Sequence, residues 1–239
     1  TIRSLNGQAL PDRLHALGWV QGGGVHMAKI NIQWAKSGLI SVSDEARDLG
    51  FDLRKFDRQN DEVQASVRKA SIDRVMHKVR DTWDEDQDGR KPKRFSEVRN
   101  GVYVISIGDG FGVSYAKGVS EVMYIGRGVF SNRIRSHLHN WIFDMSRSLR
   151  DVSFRFYMGA IGDGRNVDSF KDFEHFLLDE FGAKFGEKPL VNKYAGRQGR
   201  IDHEYSGEWN APLDNRGKRY LWSIRPTEKN AWFKYYEDE

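Results

Sequence analysis

The chain has 239 residues, 38% of them hydrophobic and 30% charged, with a formal net charge of +4 and a pI of about 9.2. It has no cysteine, which excludes disulfides and thiolate-held zinc. It also has no apolar run near the roughly 20 residues that a membrane-spanning helix needs. A chain of this length can bury a core as one domain or as a domain with an appendage. The basic balance hints at an anionic partner. No leader pattern opens the chain, so no membrane association and a cytoplasmic location are expected.

The first part, residues 1–95, reads as a mainly helical extension, with a dimerisation or DNA-binding role open to it. The tripeptide VHM around Met27 is a candidate cloning junction, in which case residues 1–26 are vector-derived. In DEVQASVRKASIDRVMHKVRDTW, the residues Val63, Val67, Ile72, Val75, Met76, Val79 and Trp83 recur mostly at helical spacing. This is an amphipathic helix with a charged outer face, and its apolar stripe needs either the rest of the chain or a second copy to cover it. The following DEDQDGRKPKRFSEVRNG is a charged linker. Asp84, Asp86 and Asp88 before Gly89 imitate the start of an EF-hand loop. The twelfth position, where that loop needs a bidentate Glu, is Phe95, and four basic residues intervene, so no calcium site is expected.

The middle part, 96–194, alternates strand and helix. GVYVISI and EVMYIG are β-branched strand segments, and the glycine-rich stretch 108–120 between them reads as a loop. After Gly126 the period changes. Ile134, Leu138, Trp141, Ile142 and Met145 share one helix face, and Arg133 and His137, four residues apart, stack beside it. Five Arg oppose one Asp between positions 127 and 150, and that clustering beside a glycine-rich strand end favours a phosphate contact. VSFRFYMGAI reads as a third strand. DSFKDFEHFLLDEFG then reads as a helix capped by Asp168 or Ser169, with an apolar face of Phe170, Phe173, Leu177, Leu178 and Phe181. Glu174 lies inside that face. An unpaired carboxylate there is costly, so a cation, a metal or a cleft is expected beside it.

The order GVY, YIG, an Arg with a His one turn later, a Glu inside a helix, and KPLVNK resembles the GIY-YIG nuclease family over residues 101–194, with Val in place of Ile in the first motif. The resemblance implies an α+β core, a small three-stranded antiparallel sheet flanked by helices, and metal-dependent hydrolysis of DNA phosphodiesters. It implies Glu174 as the one protein carboxylate on a divalent cation, Mg²⁺ with Mn²⁺ able to substitute. It makes Tyr103 the general base or relay, and Tyr124 a group that positions water and phosphate. Arg133 would be the phosphate clamp, His137 the group that orients or deprotonates, and Asn192 a brace. Arg127, His139, Arg135, Lys117 and Lys193 are further candidates for substrate contact. A phosphodiester is an anion whose transition state gains charge, so a site of this kind needs a planar guanidinium fork and a Lewis acid.

Residues 195–239 mix Arg and Lys with Trp and Tyr. They read as a short β-rich extension that either contacts DNA or packs on the core. The favoured function is a restriction or phage-defence endonuclease acting on double-stranded DNA as a homodimer. A structure-specific repair or mobile-element nuclease, a non-catalytic DNA-binding module and a structural adaptor remain alternatives.

Overall fold

The structure, a computed structural model, describes residues 29–86, 94–108, 110–149, 151–161, 168–194, 203–214, 222–224 and 229. The reading of 1–26, the centre of the charged linker and most of the basic C-terminal stretch lie outside these residues. Within them the chain is mixed α+β. The elements run β1 (Lys29–Ile32), β2 (Ala35–Lys36), α1 (Val42–Asp48), a 3-10 segment (Leu53–Arg58) and α2 (Asp61–Glu85). They continue with β3 (Gly101–Ile107), β4 (Phe111–Tyr115), β5 (Gly118–Ser120), β6 (Val122–Gly128), α3 (Phe130–His137) and α4 (Phe143–Ser148). The last are β7 (Phe154–Ala160), α5 (Ser169–Phe185), β8 (Glu204–Gly207) and β9 (Trp222–Ile224).

The central sheet has the order β2-β7-β3-β6 and is antiparallel throughout. Its three long strands are the expected ones. The fourth, a two-residue edge strand, comes from the segment read as a helical extension. All seven residues of β3 are buried, the pattern of a central strand covered on both faces. Helix α5 packs against β3 and β6, α3 against β6, and α2 against β2. Smaller sheets pair β1 with β8 in parallel, and β4 with β5 antiparallel and with β9 in parallel.

The stretch 108–120 is not a loop. Its residues 111–120 fold as the β4–β5 hairpin, turning at Ala116 and Lys117 and entering β5 at Gly118 with φ of 147°, a value that favours glycine. Gly, Ser and Lys hid the alternation there, and Tyr115 is buried by an edge contact with Phe181 of α5, ring centroids 5.1 Å apart.

Helix α2 forms as its periodicity requires. Asn60 caps it by accepting from the Val63 amide at 2.9 Å. Its buried stripe is Ile72, Val75, Met76 and Val79, covered by α1, α3 and β2 of the same chain. The chain itself therefore supplies the cover that a second copy could also have given. Glu45 of α1, 1% exposed, ties the two helices by accepting from Arg74 at 3.0 Å and from Lys78.

Candidate active site

The site is built on the β3–β6 pair. Tyr103 sits opposite Gly126, and Ile105 opposite Tyr124. The two tyrosines are thus diagonal neighbours on one face of the sheet, with rings stacked at 5.9 Å and 26°. Gly126 makes this possible. A Cβ there would lie 2.3 Å from Tyr124 Cε1 and 2.8 Å from the Tyr103 hydroxyl, so the glycine of YIG is required by the crowding of the tyrosines.

Strand β6 lies at the edge of the central sheet, and the chain covers that edge. Asn192 accepts from the Ile125 amide at 2.9 Å through Oδ1 and donates to the Ile125 carbonyl at 2.7 Å through Nδ2. The Val191 amide donates to the Met123 carbonyl at 3.0 Å. The Asn192 side chain thus satisfies strand groups that an open edge would leave to water or another chain.

The helical rod after β6 brings the basic and aromatic side chains. It changes from α to one π turn at Leu138–Ile142 and back, a local widening that recurs at functional sites. Ile134, Leu138 and Ile142 are fully buried, as their spacing predicts. His137, 8% exposed, lies 2.9 Å from the Tyr103 hydroxyl through Nε2 and 3.0 Å from the Trp141 indole nitrogen through Nδ1. Arg133 donates to the Tyr124 hydroxyl at 3.3 Å.

Glu174 projects from the apolar face of α5, as expected, and its partner is Arg127 of β6, whose Nε donates to Oε2 at 2.5 Å. An open cavity of about 800 Å³ unites the site. Tyr124, Arg127, Arg133, His137, Trp141, Glu174, Asn192, Lys193 and Tyr194 line it.

The electrostatics follow from burial. Desolvation raises the Tyr103 pKa well above that of an ordinary phenol, reinforced by the Tyr124 hydroxyl and opposed by Arg133. Tyr103 is fully buried and lies behind Tyr124 as seen from the cavity. It rests as a neutral phenol, which does not suit a resting base. Desolvation, with Arg133 nearby, pushes His137 down to about 4, so it is neutral at pH 7. Desolvation also raises Glu174, with Arg127 opposing.

Six of the expected residues, Tyr103, Tyr124, Arg133, His137, Glu174 and Asn192, converge here with Arg127 and Lys193. Three others do not line the cavity. Arg135 turns to Asp73 of α2 at 2.5 Å. Lys117 reaches the Ala183 carbonyl near the end of α5 at 3.5 Å. His139 is exposed, and its carbonyl accepts from Arg68 at 3.1 Å.

Sequence reasoning placed Trp141 on the apolar face and missed its hydrogen bond, although its position four residues after His137 was a usable signal. It also missed the buried Asp172 of α5, 3.2 Å from His203, a pair that ties the described C-terminal segment to α5.

The donor set fits a lightly held hard cation. Among the described residues no three His, Cys, Asp or Glu side chains form a group that could hold a metal ion. Mg²⁺ is commonly held by one or two carboxylates, with water and phosphate oxygens completing its shell. Glu174, a partly buried carboxylate facing an open polar cavity, can serve in that way once Arg127 shares it.

Comparison of the chain with family models, with curated proteins and with solved structures gives no match in any of the three. Among the described residues no helix is long and apolar enough to cross a membrane.

Proposed function

We propose that the chain is a metal-dependent DNA endonuclease of GIY-YIG type, acting on double-stranded DNA as a restriction or phage-defence enzyme. The observation that carries this reading is the convergence of Tyr103, Tyr124, Arg133, His137, Glu174 and Asn192, from five separate segments, on one cavity and the strand behind it. A cavity lined by Arg127, Arg133 and Lys193 suits an anion, and a guanidinium fork suits a phosphate in particular.

Arg133 holds the phosphate and stabilises the charge that develops on its oxygens. Arg127 is the second such donor when phosphate competes with Glu174 for it. Tyr124 faces the attacking water, and the neutral Tyr103 hydroxyl supports it from behind. Asn192 keeps β6, and so Tyr124, in place. A divalent cation, Mg²⁺ or Mn²⁺, would be held by Glu174 and would polarise the phosphate and acidify water. One such site cuts one strand, so cutting both at a palindrome calls for two copies on the DNA.

Incubating supercoiled plasmid with Mg²⁺ or with EDTA tests the proposal. Nicked or linear product with Mg²⁺ alone supports it. A mobility shift with no product under either condition replaces it with the non-catalytic DNA-binding module.

A further inference from the structure

We infer that Trp141 is a positioning residue of this site: its indole N–H fixes His137 as the Nε2–H tautomer, so that His137 donates to the Tyr103 hydroxyl and cannot accept its proton. The catalytic half of this inference rests on the nuclease reading, whereas the tautomer rests on geometry alone.

An indole nitrogen is a donor and never an acceptor. At 3.0 Å from Trp141 Nε1, His137 Nδ1 must therefore offer a lone pair. His137 is buried among Tyr103, Tyr124 and Trp141, with Arg133 near, surroundings that disfavour imidazolium. A neutral imidazole carries one N–H, and here it is on Nε2, 2.9 Å from the Tyr103 oxygen. The Tyr103 oxygen accepts from it, and its own O–H must point elsewhere. Arg133 has no acceptor. The Tyr124 ring stacks beside that of Tyr103, and its hydroxyl, bonded to Arg133 at 3.3 Å, stands on the cavity side.

The result is a chain of donors with one direction, from Trp141 through His137 to Tyr103, whose ring stacks on that of Tyr124 at the cavity. Tyr124 at the cavity is thereby backed by a neutral Tyr103 whose oxygen the His137 N–H holds in place. The reversed tautomer would set two N–H donors, Trp141 Nε1 and His137 Nδ1, against each other. It would also make His137 Nε2 an acceptor for the Tyr103 proton. The indole ring is held for this task by an edge contact with Phe154, centroids 5.8 Å apart at 78°.

Long-range ¹H–¹⁵N spectra of the histidine ring in the free, full-length protein at pH 7 read the tautomer directly. The expected wild-type result is a single Nε2–H form of His137. Trp141→Phe keeps the ring against Phe154 and removes the donor. The Nδ1–H form should then appear, and Mg²⁺-dependent plasmid cleavage should fall about 10- to 100-fold, with plasmid binding changed less than about twofold. A wild-type Nδ1–H or imidazolium signal overturns the inference even if no variant folds. So does any other pairing of readouts in Trp141→Phe, whether an altered tautomer with unchanged cleavage or an unaltered tautomer with reduced cleavage. Wild-type protein that shows the Nε2–H form but leaves plasmid intact with Mg²⁺ overturns the nuclease reading and the catalytic role, and leaves the tautomer assignment standing.

Discussion

Glu45 and Glu174 are both withdrawn from water, and they are treated in opposite ways. Glu45 of α1, side chain 2% exposed, has both oxygens engaged, by Arg74 and Lys78 of α2. Glu174 of α5, side chain 13% exposed, is held through Oε2 by Arg127 and opens onto the cavity. Removing a carboxylate from water is costly unless partners compensate. A carboxylate closed on both oxygens joins two helices and does nothing more. One held on a single oxygen beside an open volume can exchange partners, which is what a cation or phosphate site requires. The difference separates a structural ion cluster from a candidate chemical one within the same fold.

The largest expected effect tests that separation directly. Glu174→Gln should lower Mg²⁺-dependent cleavage by about 10³-fold or more, about 4 kcal/mol in the barrier. DNA binding should persist, because the lost charge is not aimed at DNA. Stability should hold or rise slightly, since burial already disfavours the charged form. Plasmid kinetics and urea midpoints on the same preparation decide it. Cleavage within tenfold of wild type would remove Glu174 from the chemistry and make the two glutamates alike.

Acid provides a second way to tell the regions apart. His137 has its pKa pushed down to about 4 by burial and Arg133, against roughly 6.5 when unfolded. As pH falls from about 6.5 the unfolded chain takes up a proton that the folded chain refuses. Stability therefore falls through the window between those values and levels off below it, a loss of up to about 3 kcal/mol. In His137→Gln this slope should vanish, while Glu45→Gln should keep it. An identical slope in wild type and His137→Gln, measured by urea midpoints from pH 7.5 to pH 4, would show that the cavity region does not titrate in this way.

Glu45→Gln should show the reverse of the Glu174 pattern. It should cost about 2–3 kcal/mol of stability and leave cleavage by the folded fraction unchanged. A loss of cleavage without a loss of stability would mean that the α1–α2 junction feeds the site.

How much of this could be read in the sequence depends on how local the cause is. Strands β3 and β6 are legible from their β-branched residues, and β7, helix α2 and the buried face of α5 from the spacing of side chains along one element. Glu174 stood out because it breaks such a pattern. The hairpin of β4 and β5 did not, since glycines replace its alternating side chains and its partner in burial, Phe181, is distant in the chain. Strand β2 is two residues long and leaves no period to detect. The β1–β8 pair joins Lys29 to Glu204, a register set by tertiary packing and by neither segment alone. In the site, the residue types Tyr103, Tyr124, Arg133 and His137 were readable, but which oxygen faces the cavity was not. That depends on the registers of β3 and β6 and on the π turn that brings Trp141 under His137.

Arg135, set against Arg133, gives the smallest effect and the finest discrimination. They stand two residues apart on α3, so a helix points them in different directions, and composition alone treats them as equal. Arg133 reaches Tyr124 in the cavity, whereas Arg135 reaches Asp73 on α2. Arg133→Ala should cost cleavage about 100-fold, the scale of a lost donor to a developing anion. Arg135→Ala should change cleavage less than about twofold and stability by less than about 0.5 kcal/mol, because the pair is exposed and screened. Lys69, 2.9 Å from Asp73, remains to pair it. Initial cleavage rates and plasmid affinity at a series of salt concentrations distinguish the two arginines. If Arg135→Ala instead flattens the plot of log affinity against log salt by about one unit, Arg135 leaves Asp73 to neutralise a DNA phosphate. The outer side of α3 would then belong to the DNA interface, and the ion pair with α2 would describe the free protein alone.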